Sequence, residues 1–214
     1  MSRSETLIVA VDGPAASGKG TIARALARHF GLPHMDTGLL YRATALNLLE
    51  LGGDPESEFA AARATDLSQI RLDDPELKTE TVGGIASRIS AYPLVREALL
   101  ERQRAFAEQE GGAVLDGRDI GTVIAPNATV KLFVTARPEI RARRRFAELK
   151  AGGMDVHFAD VLADIHARDG RDSGRAAAPL VMAEGAVLID TSEQTPGEAV
   201  AAAIAAVEGR VGVG

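Results

Sequence analysis

Residues 11–31 read VDGPAASGKGTIARALARHFG, and this stretch decides the fold. Gly13 is followed by four residues and then by Gly18 and Lys19, the spacing of a loop that wraps phosphate. Before it, residues 6–11 (TLIVAV) are β-rich and uncharged, as a buried parallel strand is. After it, Ile22, Ala23, Leu26, Ala27 and Phe30 recur at helical spacing and predict a helix from Lys19 to Phe30. An ordinary glycine turn shares the bare spacing but not this strand–loop–helix context. Here Gly13, Pro14, Ala15, Ala16, Ser17 and Gly18 can turn backbone N–H groups inward as an anion nest. The positive end of the helix dipole adds to it. Lys19 reaches the terminal phosphates as a compact charge.

The usual loop places Ser or Thr directly after the lysine, where the hydroxyl binds Mg²⁺. Here that residue is Gly20, and the hydroxyl comes one step later, at Thr21. One helical residue turns the side chain by about 100°, so Thr21 is expected to face another phosphate, most plausibly the α. The metal is then expected on the nucleotide's phosphates and on water, which Mg²⁺ tolerates because it sheds water reluctantly. Asp36 and Asp116, at neighbouring strand ends, are candidates to hold those waters.

Outward from the loop, strands and helices alternate. Residues 32–36 (LPHMD) predict a second strand and 38–52 a helix closed by Gly52 and Gly53. Residues 53–84 are polar, mixed and weakly periodic. Pro93 opens a strong helix that ends before Gly111 and Gly112. AVLDGRD (113–119) and TVKLFVTA (129–136) predict two more strands. Pro138 opens an arginine-rich helix, and residues 157–175 are expected to be helical until about Gly170. AVLID (186–190) is a fifth strand, and residues 196–210 are a closing helix. This order predicts an α/β fold: a five-stranded, mostly parallel sheet flanked by helices. Ligands in such sheets lie at the carboxyl ends of the strands. Asp12-Gly13, Asp36-Thr37-Gly38 and Asp116-Gly117-Arg118-Asp119 all converge there.

Composition narrows the partners. The chain has 214 residues, 46% hydrophobic and 25% charged, room for one generous domain. No apolar run approaches the ~20 residues of a membrane span. The absence of cysteine excludes disulfides and thiolate metal sites and fits a cytoplasmic protein. A net charge of −6 argues against nucleic acid. Twenty of the 24 basic residues are Arg, whose planar forks suit phosphate, although genomic composition contributes to such a bias. His29, His34, His157 and His166 share no ligand-like spacing.

GKGT is the loop variant of nucleoside monophosphate kinases. Together with MDTGLLYRATAL (35–46), YPLVREALLERQRAF (92–106), VLDGRDIGTVIAPNATVKLFVTA (114–136) and ARDGRDSGRAAAPL (167–180), the chain resembles bacterial cytidylate kinases, in that family's order. The resemblance implies a P-loop kinase fold over residues 1–214. It also implies a monophosphate-binding insert within about 38–110 and a lid within about 141–175. The insert looks shorter than in many members, which carry a small antiparallel sheet there. The implied reaction moves the γ-phosphoryl group of ATP, with Mg²⁺, to CMP or dCMP. By the resemblance, Arg42 and Arg118 clamp the acceptor's phosphate, and Asp36 is among the residues that hold the acceptor. Asp119, Arg96 and Ser87 read cytosine, whose exocyclic amine needs a carboxylate and whose N3 and O2 need donors. Arg168 and Asp172 reach the ribose, and Arg175 the transfer site. Gly170 and Gly174 interrupt this charged run, which suggests a segment closing over ligand. Of Arg141, Arg143, Arg144 and Arg145, the pair Arg141 and Arg145 at i and i+4 is expected to face ATP, with Gly152-Gly153 as a hinge. A monomer is expected, because a lid needs free surface to close. The loop alone also allows an adenylate, UMP/CMP or shikimate kinase. A GTP-binding switch would carry an Asn-Lys-x-Asp string, which is missing.

Overall fold

The computed structural model describes residues 6–68 and 71–212. β1 (Leu7–Asp12) is the central strand, and its Val9, Ala10 and Val11 are fully buried. Around it stand β2 (His34–Asp36), β3 (Gly112–Gly117), β4 (Val130–Thr135) and β5 (Val187–Asp190). The order is β2-β3-β1-β4-β5 and every pair is parallel. Asp12 pairs with Gly117, and Asp36 with Asp116, so the carboxyl ends of three strands finish in one row.

Parallel strands need crossovers, and these cover both faces. Val9 and Val11 point to one face, where α1 (Lys19–Phe30) and α8 (Pro196–Val211) pack Ile22, Leu26, Ala203 and Val207. Ala10 points to the other, beneath α5 (Pro93–Ala107) and a π-helical turn at Ile120–Ile124.

Two helical additions stand at the ligand edge. The first has its own core of Leu40, Leu48, Leu77, Ile85, Ile89 and Leu99. It consists of α2 (Thr37–Glu50), α3 (Glu58–Arg63), a 3-10 turn at Pro75–Lys78 and α4 (Glu80–Ile89), packed on α5. The weak periodicity of residues 53–84 has a plain cause: the helices there are short and are set by their caps. Ser57, Asp74 and Thr79 each accept an N–H of the turn that follows. Within the stretch expected to be a shortened insert, Gln69 and Ile70 lie outside the described residues; between α2 and α5 the described residues contain no strand.

The second addition is a hairpin of α6 (Pro138–Ala151) and α7 (Phe158–Gly174), closed on Ala142, Leu149, Val161 and Ile165. α7 corrects the sequence reading, for it runs through Gly170 to Gly174. Neither glycine has an atom within 4 Å of where a Cβ would stand. Both therefore face open space and leave the buried stripe of the helix intact. β3 also ends two residues earlier than expected, at Gly117. Asp12 takes the N–H groups of Ile120 and Gly121, both at 2.8 Å, and draws the chain out of the sheet there.

Candidate active site

The phosphate loop is shaped by what surrounds it. A Cβ on Gly13 would overlap the Val134 carbonyl of β4, so the chain crosses the sheet end only with glycine there. Ala16 adopts φ 57°, a left-handed conformation that a residue with a Cβ takes up at a cost. Gly18 precedes the first turn of α1, and Lys19 begins it. Burial, then the neighbouring Arg118, push the Lys19 ammonium down to about 8, while Asp116, Asp36 and Asp172 pull it back up. Its Nζ donates to the Pro14 carbonyl at 3.4 Å.

Gly20 stands against Asp116: a Cβ on it would lie 3.3 Å from Oδ2 of that carboxylate. Asp116 is buried, and its Oδ2 has no hydrogen-bond partner among the described residues. Beside it, burial and then the Asp116 charge raise the Asp36 carboxyl above its usual range. Two crowded carboxylates, with the His34 imidazole 3.5 Å from Asp116 Oδ2, fit a hydrated cation next to the loop. Asp36 also accepts the Gly38 N–H at 2.9 Å and caps α2. It does not line the acceptor cleft described below, although it was expected among the residues holding substrate.

On one side of the loop lies a cleft of about 760 Å³, lined by Gly18, Thr21, Arg144, Thr191 and Gln194 among others. The arginines of α6 are distributed differently from expectation. Arg141 is buried; its guanidinium grips Asp169 with both arms at 2.9 and 2.5 Å and donates to the Ala136 and Ala15 carbonyls. It thus supports the loop from behind. Arg145 turns away to Glu80 of α4 and Glu148. Arg144 is the arginine of this cleft. It donates to the Ser17 carbonyl at 3.3 Å, to Thr191 Oγ1 at 2.9 Å and to the Thr191 carbonyl at 2.7 Å.

On the other side lies a second, open cleft. Arg42, Ser87, Arg96, Arg118, Asp119, Arg168, Asp172 and Arg175 all line it. They come from α2, α4, α5, the end of β3 and α7, so only the folded chain assembles them. Asp172 is their hub. Its Oδ2 accepts from Arg118 at 2.7 Å, and its Oδ1 from Arg175 at 2.5 Å. Burial pushes the Asp172 carboxyl up, but Arg118 and Arg175 outweigh it and hold it below the usual carboxylate range. In the same cleft Arg96 is paired with Asp119, and both are nearly buried. Such a pair presents donor and acceptor side by side. Arg42 is held by the Leu77 carbonyl at 2.7 Å.

Sequence reasoning missed several supports. The Tyr41 hydroxyl accepts from Arg96 at 3.3 Å, and the Ser90 hydroxyl accepts from Arg175 at 2.8 Å. Tyr41 adjoins Arg42, and Ser90 follows Ser87 by one helical turn. That adjacency was the available signal. Arg144 and Thr191 gave none, because their partners are distant in sequence; for Asp12 the strand end was legible but its bonds to Ile120 and Gly121 were not.

An anion-binding loop between two clefts, one of them rimmed by arginines, defines a phosphotransferase that holds two phosphorylated substrates head to head. The family model described as cytidylate kinase matches residues 9–209. A cytidylate kinase of Caulobacter vibrioides is 55% identical over 204 residues, covering 94% of this chain and 95% of its own length. That of Xanthobacter autotrophicus is 56% identical over 207 residues, covering 95% and 98%. The chain belongs to the cytidylate kinase family, whose members are ATP-dependent nucleoside monophosphate kinases. A solved structure of an uncharacterised protein from Eubacterium ventriosum shares the fold, with a TM-score of 0.55 at 16% identity over 96% of this chain and all of that one.

Proposed function

We propose that the chain seats CMP or dCMP in the arginine-lined cleft and ATP in the cleft beside Arg144, and transfers the γ-phosphoryl group between them. The observation that carries this is the position of Lys19 between the two: Gly18 beside it lines one cleft, and Arg118 and Asp172, whose charges act on it, line the other together with the Arg96–Asp119 pair. An acceptor phosphate oxygen attacks the γ-phosphorus. The bond from that phosphorus to the β–γ bridging oxygen breaks, and its electron pair leaves with ADP. CMP becomes CDP, or dCMP becomes dCDP. No general base is required, because the phosphate monoester is already an oxyanion near neutral pH. Lys19, Arg118 and Arg175 neutralise the charge spread over the transferred group, which is the main work in such reactions. Arg42 clamps the acceptor phosphate with them, and Arg168 and Asp172 hold the ribose. Asp119 accepts from the cytosine amine, Arg96 donates to its acceptors and Ser87 completes the edge.

Asp36 and Asp116 are the residues that would hold the water shell of Mg²⁺, which when bound supplies charge neutralisation on the ATP phosphates. The described residues contain no group of three or more His, Asp or Glu side chains that could hold a metal ion. No helix among them is long and apolar enough to cross a membrane. We assign the enzyme to the cytoplasm, to pyrimidine nucleotide metabolism and to a monomeric state, with no nucleic acid or membrane partner.

The test is ADP formation from ATP and Mg²⁺ with CMP, dCMP, UMP, AMP, GMP and shikimate offered separately. CMP and dCMP are expected to lead UMP by more than about tenfold, or ~1.4 kcal/mol. Equal use of UMP would remove the role given to Asp119. Activity with AMP or shikimate alone would overturn the acceptor assignment.

A further inference from the structure

One carboxylate joins the two helical additions across the mouth of the acceptor cleft. Glu80 is the first residue of α4, in the insert. Its Oε1 pairs with Arg145 of α6, and its Oε2 lies 3.4 Å from Arg168 of α7. Among the described residues it is the only carboxylate of the insert that pairs with either helix of the hairpin. In two other links between insert and hairpin segment the acceptor is uncharged: Arg171 donates to the Ser87 hydroxyl at 3.2 Å and Arg175 to the Ser90 hydroxyl.

The position of Glu80 matters because of the charges it separates. Arg42, Arg145 and Arg168 come close together at this mouth. Burial, then Arg168 and Arg145, lower the proton affinity of Arg42. Arg42 itself is held by backbone carbonyls, at Leu77 and Thr79, which carry no net charge. Asp36 offsets part of this repulsion at Arg42; without Glu80 the remainder would push the insert and the hairpin apart before any acceptor arrived. Arg168 has a second partner in Asp164 at 2.7 Å and Arg145 has one in Glu148 at 3.0 Å. Both of those belong to the hairpin, and neither ties it to the insert. The Glu80 side chain is 32% exposed, and its partners are 25% and 14% exposed, so the bridge is partly shielded from solvent and salt. That separates it from the fully exposed pairs, which contribute little.

We infer that Glu80 is a positioning residue for acceptor capture, tying the insert to the hairpin through Arg145 and Arg168. It balances the arginine cluster while the cleft is empty and fixes the angle at which Arg168 enters it. The acceptor phosphate then meets a preorganised set of donors and need not gather them. This role rests on the phosphoryl-transfer reading above.

The experiment compares wild type with Glu80→Gln and Glu80→Asp. Wild-type turnover of CMP is measured first; its absence would overturn the transfer reading itself, before any variant is compared. Glu80→Gln keeps the size and removes the charge. It is expected to raise the KM for CMP about tenfold, the scale of one charge-assisted hydrogen bond. The KM for ATP should stay within about twofold. Glu80→Asp, shorter but still charged, should recover a large part of the loss. A double-mutant cycle of Glu80→Gln with Arg145→Met should be non-additive, because each change breaks the same bridge. Unchanged acceptor KM in Glu80→Gln would reduce Glu80 to a surface pair. A lowered KM would show that it competes with the phosphate. Either outcome overturns the inference, as would an additive cycle or equal damage to ATP and CMP.

Discussion

At Lys19, burial and then the Arg118 guanidinium work against the charged ammonium, and three carboxylates work for it. The balance puts its ammonium at about 8 against an ordinary 10.5. Between those values the unfolded chain holds a proton that the folded one has released. The contribution of Lys19 to stability is therefore complete above pH 10.5 and is lost as pH falls through about 8. Phosphate reverses the preference, because polyanionic ATP favours the charged lysine. Binding should then take up a proton wherever free Lys19 is neutral. The Kd for ATP, measured with Mg²⁺ at constant ionic strength, is expected to be flat from pH 6.5 to about 7.5. It should weaken by up to about tenfold for each further pH unit above 8. Titration calorimetry in two buffers of different ionisation enthalpy reads the proton directly. Lys19→Met should bind more weakly and lose the slope; a slope that survives in this variant would assign it to another group.

The turn at Ile120–Ile124 shows how one element is positioned by a residue far away in sequence. Asp12, at the end of β1, accepts from Ile120 N–H with Oδ1 and from Gly121 N–H with Oδ2. That fixes the chain just after Arg118 and Asp119. Burial outweighs these bonds and raises the Asp12 carboxyl to about 6. Its stabilising contribution is thus present below pH 3.8 and lost as pH rises through about 6. Asp12→Asn brings two opposed effects. It removes a buried charge whose cost is roughly 3 kcal/mol at neutral pH, from the size of the shift. It also sets an amide NH₂ against one of the two N–H groups, a loss of about 1–3 kcal/mol. Stability should therefore change little, while kcat/KM for CMP falls at least about tenfold as the turn loosens. Chemical denaturation alongside steady-state kinetics checks this; parallel losses in both would mean that Asp12 serves the fold alone. The same element explains what sequence could reveal. The strands and α1, α5 and α8 were legible because their faces are set by the sheet, and period follows face. That Arg42, Arg96, Arg118, Asp119, Asp172 and Arg175 share one cleft was legible through the family's motifs. Which arginine of α6 lines the cleft beside the loop was not, because residues 141, 143, 144 and 145 offer no periodic choice. The pairing of Arg141 with Asp169 on α7 decides it, and that contact exists only after the hairpin has packed.

The whole molecule carries −6, yet its acceptor cleft is lined by five arginines against two aspartates. A dianionic nucleotide is thus repelled by the body and drawn by the site. Distance decides between them. A chain of this length has a radius of gyration of about 17 Å, whereas charges are screened over about 10 Å at 0.1 M salt. The body's excess charge is spread over that larger scale and is mostly screened, while the cleft charges stand within a few ångströms of the phosphate. Attraction should therefore dominate encounter, and salt should weaken it. The KM for CMP is expected to rise at least about fivefold between 0.05 and 0.5 M NaCl, as steered association does. kcat should hold nearly constant, because once the phosphate is seated its partners lie closer than the screening length. Sucrose at matched osmolality controls for effects unrelated to charge, and a neutral salt of different anion controls for chloride competing in the cleft. A KM that falls with salt would mean that the net charge of the body governs approach. The arginine cleft would then act only after contact, through the fixed geometry of Arg42, Arg118 and Arg175, and not by drawing the substrate in.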